Sequence, residues 1–85
     1  MYTIKWARSA YDELARVWTA ADSPERARIT QAVAVLEDRL SHDPLSLGES
    51  RQESARRVVH EPPIGFDVFV DDTRRIVRVI RVWVF

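Results

Sequence analysis

Apolar and polar positions change period twice along this chain. Over residues 2–6 (Tyr-Thr-Ile-Lys-Trp) they alternate, with Tyr2, Ile4 and Trp6 on one side, which predicts a short strand with one buried face. From Ala10 the spacing lengthens. Ala10, Leu14, Val17, Trp18 and Ala21 repeat at helical intervals, so residues 10–21 read as an amphipathic helix with Trp18 in the core of a helical hairpin. Ser9 is the expected N-cap, and Asp12 three residues on forms a weak capping box. Asp22-Ser23-Pro24 breaks the pattern. Ser23 then caps a second helix, with Pro24 at the first helical position, where its missing N–H costs nothing. That helix runs from about Pro24 to Ser41 on the stripe Ile29, Ala32, Val33, Leu36 and Leu40. So short a break predicts an antiparallel hairpin of the two helices.

Residues 43–54 are polar, hold Pro44 and Gly48, and predict a loop from which Leu45 and Leu47 tuck against the core. The period then drops to two. Residues 55–61 form a candidate strand, stopped by Pro62-Pro63. Residues 64–71 put Ile64, Phe66, Val68 and Val70 on one face and Gly65, Asp67, Phe69 and Asp71 on the other. After the turn at Asp71-Asp72-Thr73, residues 74–85 are branched and aromatic throughout. Strict alternation assigns Ile76, Arg78, Ile80, Val82 and Val84 to one face and Val77, Val79, Arg81, Trp83 and Phe85 to the other. Apolar residues on both faces predict a central strand. The expected fold is α+β in the order β-α-α-β-β-β, a helical hairpin packed on one face of an antiparallel sheet, with the first strand pairing at one side.

Length and charge narrow the function classes. At 85 residues the chain is expected to be one domain, 1–85, with a thin core that buries only about 60–65% of the unfolded surface. A partner covering apolar surface would add stability by mass action. There is no cysteine, which excludes a disulfide framework and a zinc–thiolate site. No segment reads as a secretory signal or nears the roughly 20 apolar residues of a membrane span, so a cytoplasmic protein is expected. Basic and acidic residues cancel at 13 each, so charge alone would not coat nucleic acid. The basic side is arginine apart from Lys5. Arginine suits bidentate recognition of carboxylates and phosphates, although a compositional bias explains the usage equally well. No metal cluster, glycine-rich phosphate loop or nucleophile–base pair is visible, so neither metal nor cofactor is expected. Asp71-Asp72 reads as turn chemistry.

The order of elements carries recognisable segments: Tyr-x-Ile-x-Trp at the start, Ala7-Arg8-Ser9-Ala10-Tyr11-Asp12-Glu13-Leu14, Ser23-Pro24-Glu25-Arg26-Ala27, Arg56-Arg57-Val58-Val59, Pro62-Pro63-Ile64, residues 66–72 and residues 76–83. Over nearly its whole length the chain resembles the RelE/ParE toxin superfamily, closer to the ParE-like side. The resemblance implies the toxin of a bacterial type II toxin–antitoxin pair, associated with growth inhibition and plasmid stabilization, and neutralised by a cognate antitoxin that wraps it. RelE-like members cut messenger RNA on the ribosome with basic residues and a C-terminal Arg/Tyr region, whereas ParE-like members are associated with poisoning DNA gyrase. This sequence departs from the nuclease pattern. Gly65 falls near one of the nuclease arginines, Phe85 near the second, the downstream tyrosine has no counterpart, and the lysine pair of the second strand is missing.

Three readings follow: a ParE-like toxin that binds a target such as gyrase; a divergent messenger-RNA endonuclease acting with the ribosome; and an inactive member acting only in partner binding. Arg57, His60 and Arg81 are the weak catalytic candidates, His60 because an imidazole suits acid–base work near neutral pH. The plainer account of His60 is a strand-end histidine paired with a neighbouring carboxylate, Glu61. Arg57, Arg78 and Arg81 lie among strand valines, either salt-bridged to Asp67 or Glu61 or forming a basic sheet face that meets the antitoxin or a nucleic-acid phosphate. Arg56, Arg74 and Arg75 flank turns and are expected to be solvated. From Arg51 to Phe85 seven arginines face five acids, a net of about +2. Trp83 and Phe85 either pack under the 43–54 loop or dock an antitoxin helix or a second copy of the chain as a homodimer.

Overall fold

The helical stripes and the alternating segments meet in one core. The computed structural model describes residues 1–47, 49–50 and 55–85. Its elements are β1 (Thr3–Trp6), α1 (Arg8–Ala20), α2 (Ser23–His42), a short 3-10 turn (Pro44–Ser46), β2 (Glu49–Ser50), β3 (Arg56–Glu61), β4 (Ile64–Asp71) and β5 (Ile76–Val84). The sheet order is β1-β5-β4-β3-β2. The predicted α+β order is present, and β5 is central, flanked by β1 and β4. β3, β4 and β5 form an antiparallel meander, while β1 pairs parallel to β5, with Thr3 opposite Ile76 and Trp6 opposite Val79. Parallel pairing needs a long connection between the strands, and the helices and meander provide it.

Four local expectations are corrected. The segment predicted as loop contains the 3-10 turn and β2, which pairs antiparallel to β3; Gly48 and residues 51–54 of that prediction lie outside the described residues. Leu47 packs against the core, but Leu45 is exposed. Helix α1 begins one residue before Ser9, on Ala7 in extended conformation with no side-chain cap. For α2 the cap is Asp22, whose carboxylate accepts from the Glu25 N–H at 2.9 Å, and Ser23 is already helical. Both Asp and Ser suit an N-cap, so composition alone does not choose between neighbours.

The core joins Ala10, Ile29, Leu36 and Leu40 of the helices to Ile64, Phe66, Val68, Val77 and Val79 of the sheet, all nearly without solvent contact. Phe66 meets the edge of Trp6 at 5.1 Å between ring centroids, and the Trp6 indole N–H donates to Glu37 at 3.0 Å. The half-buried indole thus keeps its polar atom satisfied. Near the β4–β5 turn the Tyr2 hydroxyl donates to Asp72, and the Arg75 guanidinium lies 5.2 Å from the Tyr2 ring. Arg75 adopts φ of 57°, in the left-handed region, so it is a structured turn residue and not merely a solvated cation. Among the described residues no helix is long and apolar enough to cross a membrane.

Candidate functional site

Among the described residues, one face of the sheet carries the helices and the other is left open. A break in the strand pairing decides which residues the open face receives. Down to Asp71 opposite Ile76, β4 and β5 pair in step, with Val70 on Val77 and Val68 on Val79; beyond that point Asp67 pairs with Arg81 and Gly65 with Trp83. Ile80 is the extra residue, a β-bulge. An extra residue in a period of two exchanges the faces of everything after it. Val77, Val79 and Val82 therefore all face the core, and Ile76, Arg78, Arg81 and Trp83 all face outward. Strict alternation had separated Arg78 from Arg81. The bulge brings them together.

The same registers sort the rest. On β3, Arg56, Val58 and His60 stand opposite Phe69, Asp67 and Gly65 on the open face, while Arg57 and Glu61 stand opposite the core residues Val68 and Ile64. Arg57 is thereby parted from Arg78 and Arg81, and its Nη1 donates to the Leu47 carbonyl at 3.1 Å. Glu61 binds Arg39 of α2 at 3.0 Å. It is not the partner of His60. Asp67 binds Arg56 at 2.8 Å, so Arg56 is half-buried in an ion pair and not a solvated turn residue. The acids expected to hold Arg57, Arg78 or Arg81 are engaged elsewhere.

Arg78 and Arg81 are exposed, and among the described residues neither makes an ion pair. Lys5 joins them. It is exposed, stands opposite Arg78 in the β1–β5 register, and extends the row of cations across two strands. Sequence reasoning noted Lys5 only as the single lysine. The alternation of β1 already held the signal, because Tyr2, Ile4 and Trp6 face inward and Thr3 and Lys5 must face out.

At one end of this face His60, Pro62, Trp83 and Phe85 line an open cleft of about 420 Å³. The His60 ring meets Trp83 and Phe85 edge-to-face at 6.0 and 5.3 Å. Trp83 lies against Gly65: a Cβ built there would stand 2.7 Å from the indole. Gly65 thus leaves room for the indole, and the position where the resemblance expects an arginine is filled by tryptophan. Phe85 is largely exposed, and Trp83 is half-buried on the sheet itself.

A second recess lies between the helices. Leu14, Ala15, Trp18, Ile29, Val33 and Glu37 are among the residues lining a groove of about 470 Å³. Trp18 is not core. It is 42% exposed, donates to the Thr30 hydroxyl at 3.3 Å, and carries the Arg26 guanidinium 4.4 Å above its ring. At the C-terminal end of α2, His42 lies 2.8 Å through Nδ1 from the Asp38 carbonyl, as a helix-terminal residue does. Among the described residues no cluster of three potential metal ligands occurs.

No protein-family model matches the chain. No curated protein does so either. Solved structures do. A chain of the RelBE2 toxin–antitoxin complex from Mycobacterium tuberculosis is 24% identical, with a TM-score of 0.75 over 99% of this chain and 98% of that one. The chromosomal ParDE system of Pseudomonas aeruginosa supplies a chain 14% identical, with a TM-score of 0.74 over 99% and 96%. The isolated Escherichia coli RelE toxin is 19% identical, with a TM-score of 0.70 over 99% and 84%. At such identities the likeness is one of fold. The chain has the fold of the RelE and ParE toxins.

Proposed function

We propose that this chain is the toxin of a toxin–antitoxin pair, a ParE-like protein that arrests growth by gripping a cellular target and is held inactive by a cognate antitoxin. The fold supports the toxin reading by analogy, since one fold hosts several functions. What favours binding over cleavage is the position of the acid–base groups. Asp67 is tied to Arg56, Glu61 is on the opposite face with Arg39, and His60 packs by its ring against Trp83 and Phe85. General acid–base cleavage needs an acid and a base converging on one bond. The open face instead offers aromatic surface beside exposed cations, which suits recognition of a partner. DNA gyrase is the target class the family resemblance suggests. An antitoxin segment with an apolar face would cover the groove between α1 and α2, whose lining is mostly apolar, and by binding only the folded toxin would stabilise it.

One observation favours a second reading. Lys5, Arg78 and Arg81 share one face, as a phosphate-neutralising surface would require, and this keeps the ribosome-dependent messenger-RNA endonuclease in view. Expression of the chain alone in bacteria separates the readings. Arrest with intact transcripts and trapped gyrase–DNA breaks supports the binding toxin. Arrest with transcripts cut within codons supports the nuclease. Normal growth with soluble, folded protein sinks both and leaves an inactive, partner-binding member.

A further inference from the structure

We propose that the open face binds a nucleoside phosphate, with the base in the aromatic cleft and the phosphates along the cation row. This inference does not rest on the toxin reading. The cleft formed by His60, Pro62, Trp83 and Phe85 measures about 420 Å³, within the range of small-ligand sites. Its rings meet edge-to-face, at 76° and 82° between planes, and His60 and Phe85 are exposed, so aromatic surface remains on which a base can stack. From Trp83 the outward side of β5 leads to Arg81, then across the bulge to Arg78, and sideways to Lys5. Alternate residues of a strand are roughly 6.6 Å apart, so the row begins one such step from the base and continues for the length of a polyphosphate. The Asp67 carboxylate beside Arg81 is already neutralised by Arg56 at 2.8 Å, which removes the nearest anion that would oppose a phosphate.

One feature favours a free nucleotide over a nucleic-acid strand. Strand affinity grows with the number of phosphates neutralised, and this row has three cations on a chain of zero net charge.

The test titrates the full chain, without divalent metal, with adenosine triphosphate, adenosine, tripolyphosphate and a single-stranded hexanucleotide, following affinity by calorimetry and the Trp83 indole N–H by NMR. The expected result is saturable one-to-one binding of the nucleotide that moves the Trp83 signal, with adenosine and tripolyphosphate each at least tenfold weaker. Trp83→Leu should weaken nucleotide binding at least tenfold, and Arg81→Gln and Lys5→Gln at least threefold each. Because Trp83 packs on Gly65, the two exposed-cation variants carry the test should Trp83→Leu fail to fold. Tripolyphosphate binding as tightly as the nucleotide overturns the base cleft. A hexanucleotide at least tenfold tighter overturns the free-nucleotide assignment in favour of a strand, and no binding overturns the site altogether.

Discussion

Gly65 and Trp83 are best understood as one unit. The indole occupies the space a Cβ would need, at 2.7 to 2.9 Å, so any side chain at 65 must push it away. Gly65→Ala should cost about 1–3 kcal/mol by overpacking, read as a lower thermal midpoint, and the cost should shrink in the Trp83→Leu background. Equal costs in both backgrounds would deny the coupling. Tyr2 allows a pH test. Its hydrogen bond to Asp72, then its burial, raise the phenol above its ordinary value near 10. The folded state therefore holds this proton more tightly than the unfolded state. The contribution is full below pH 10 and is lost as pH rises through the raised value. Stability should fall above pH 10 in the wild type and fall less steeply in Tyr2→Phe, measured by denaturation across that range.

At the scale of elements, helix α2 tests the capping assignment. Asp22→Ala should cost about 1 kcal/mol, whereas Ser9→Ala should change little, because Ser9 lies inside α1 and caps nothing. Urea titration of the two variants distinguishes the arrangements, and a larger loss from Ser9→Ala would restore it as the cap. In β5 the bulge at Ile80 governs the face of all that follows. Deleting Ile80 would remove the extra residue and leave Arg81 and Trp83 facing outward and Val82 inward, still opposite Asp67, Gly65 and Phe66. The expected outcome is a retained cooperative thermal transition both for the deletion and for Ile80→Val, and its loss in the deletion alone would deny that Ile80 is the extra residue.

At the scale of the molecule, a thin domain leaves a helical groove partly uncovered. Trp18 contributes to it with much of its ring in solvent. Trp18→Ala should cost about 1–2 kcal/mol, since it removes a ring that is more than half covered, its hydrogen bond to Thr30 and its contact with Arg26. On the proposed toxin reading, it should also weaken binding of the antitoxin at least tenfold, as loss of an aromatic anchor does. Calorimetry with the cognate antitoxin reads the second effect. Unchanged affinity would move the antitoxin contact elsewhere, and the open sheet face would be the next surface to vary.

The chain by itself determined its succession of elements, because periodicity is local: β4 falls at Ile64–Asp71, and α2 within a residue or so of its expected ends. It also marked β5 as central through apolar residues on both faces, and its segment pattern announced the RelE/ParE toxin fold. Only the tertiary structure decided which cations share a surface. A bulge arises in the pairing of two strands, and alternation within one strand cannot reveal it. The pairing of Asp67 with Arg56, the release of Arg78 and Arg81, the filling of the Gly65 position by Trp83 and the exposure of Trp18 all depend on neighbours distant in sequence. Local pattern fixes the elements because each is stabilised by its own spacing, and contacts between elements assemble the site.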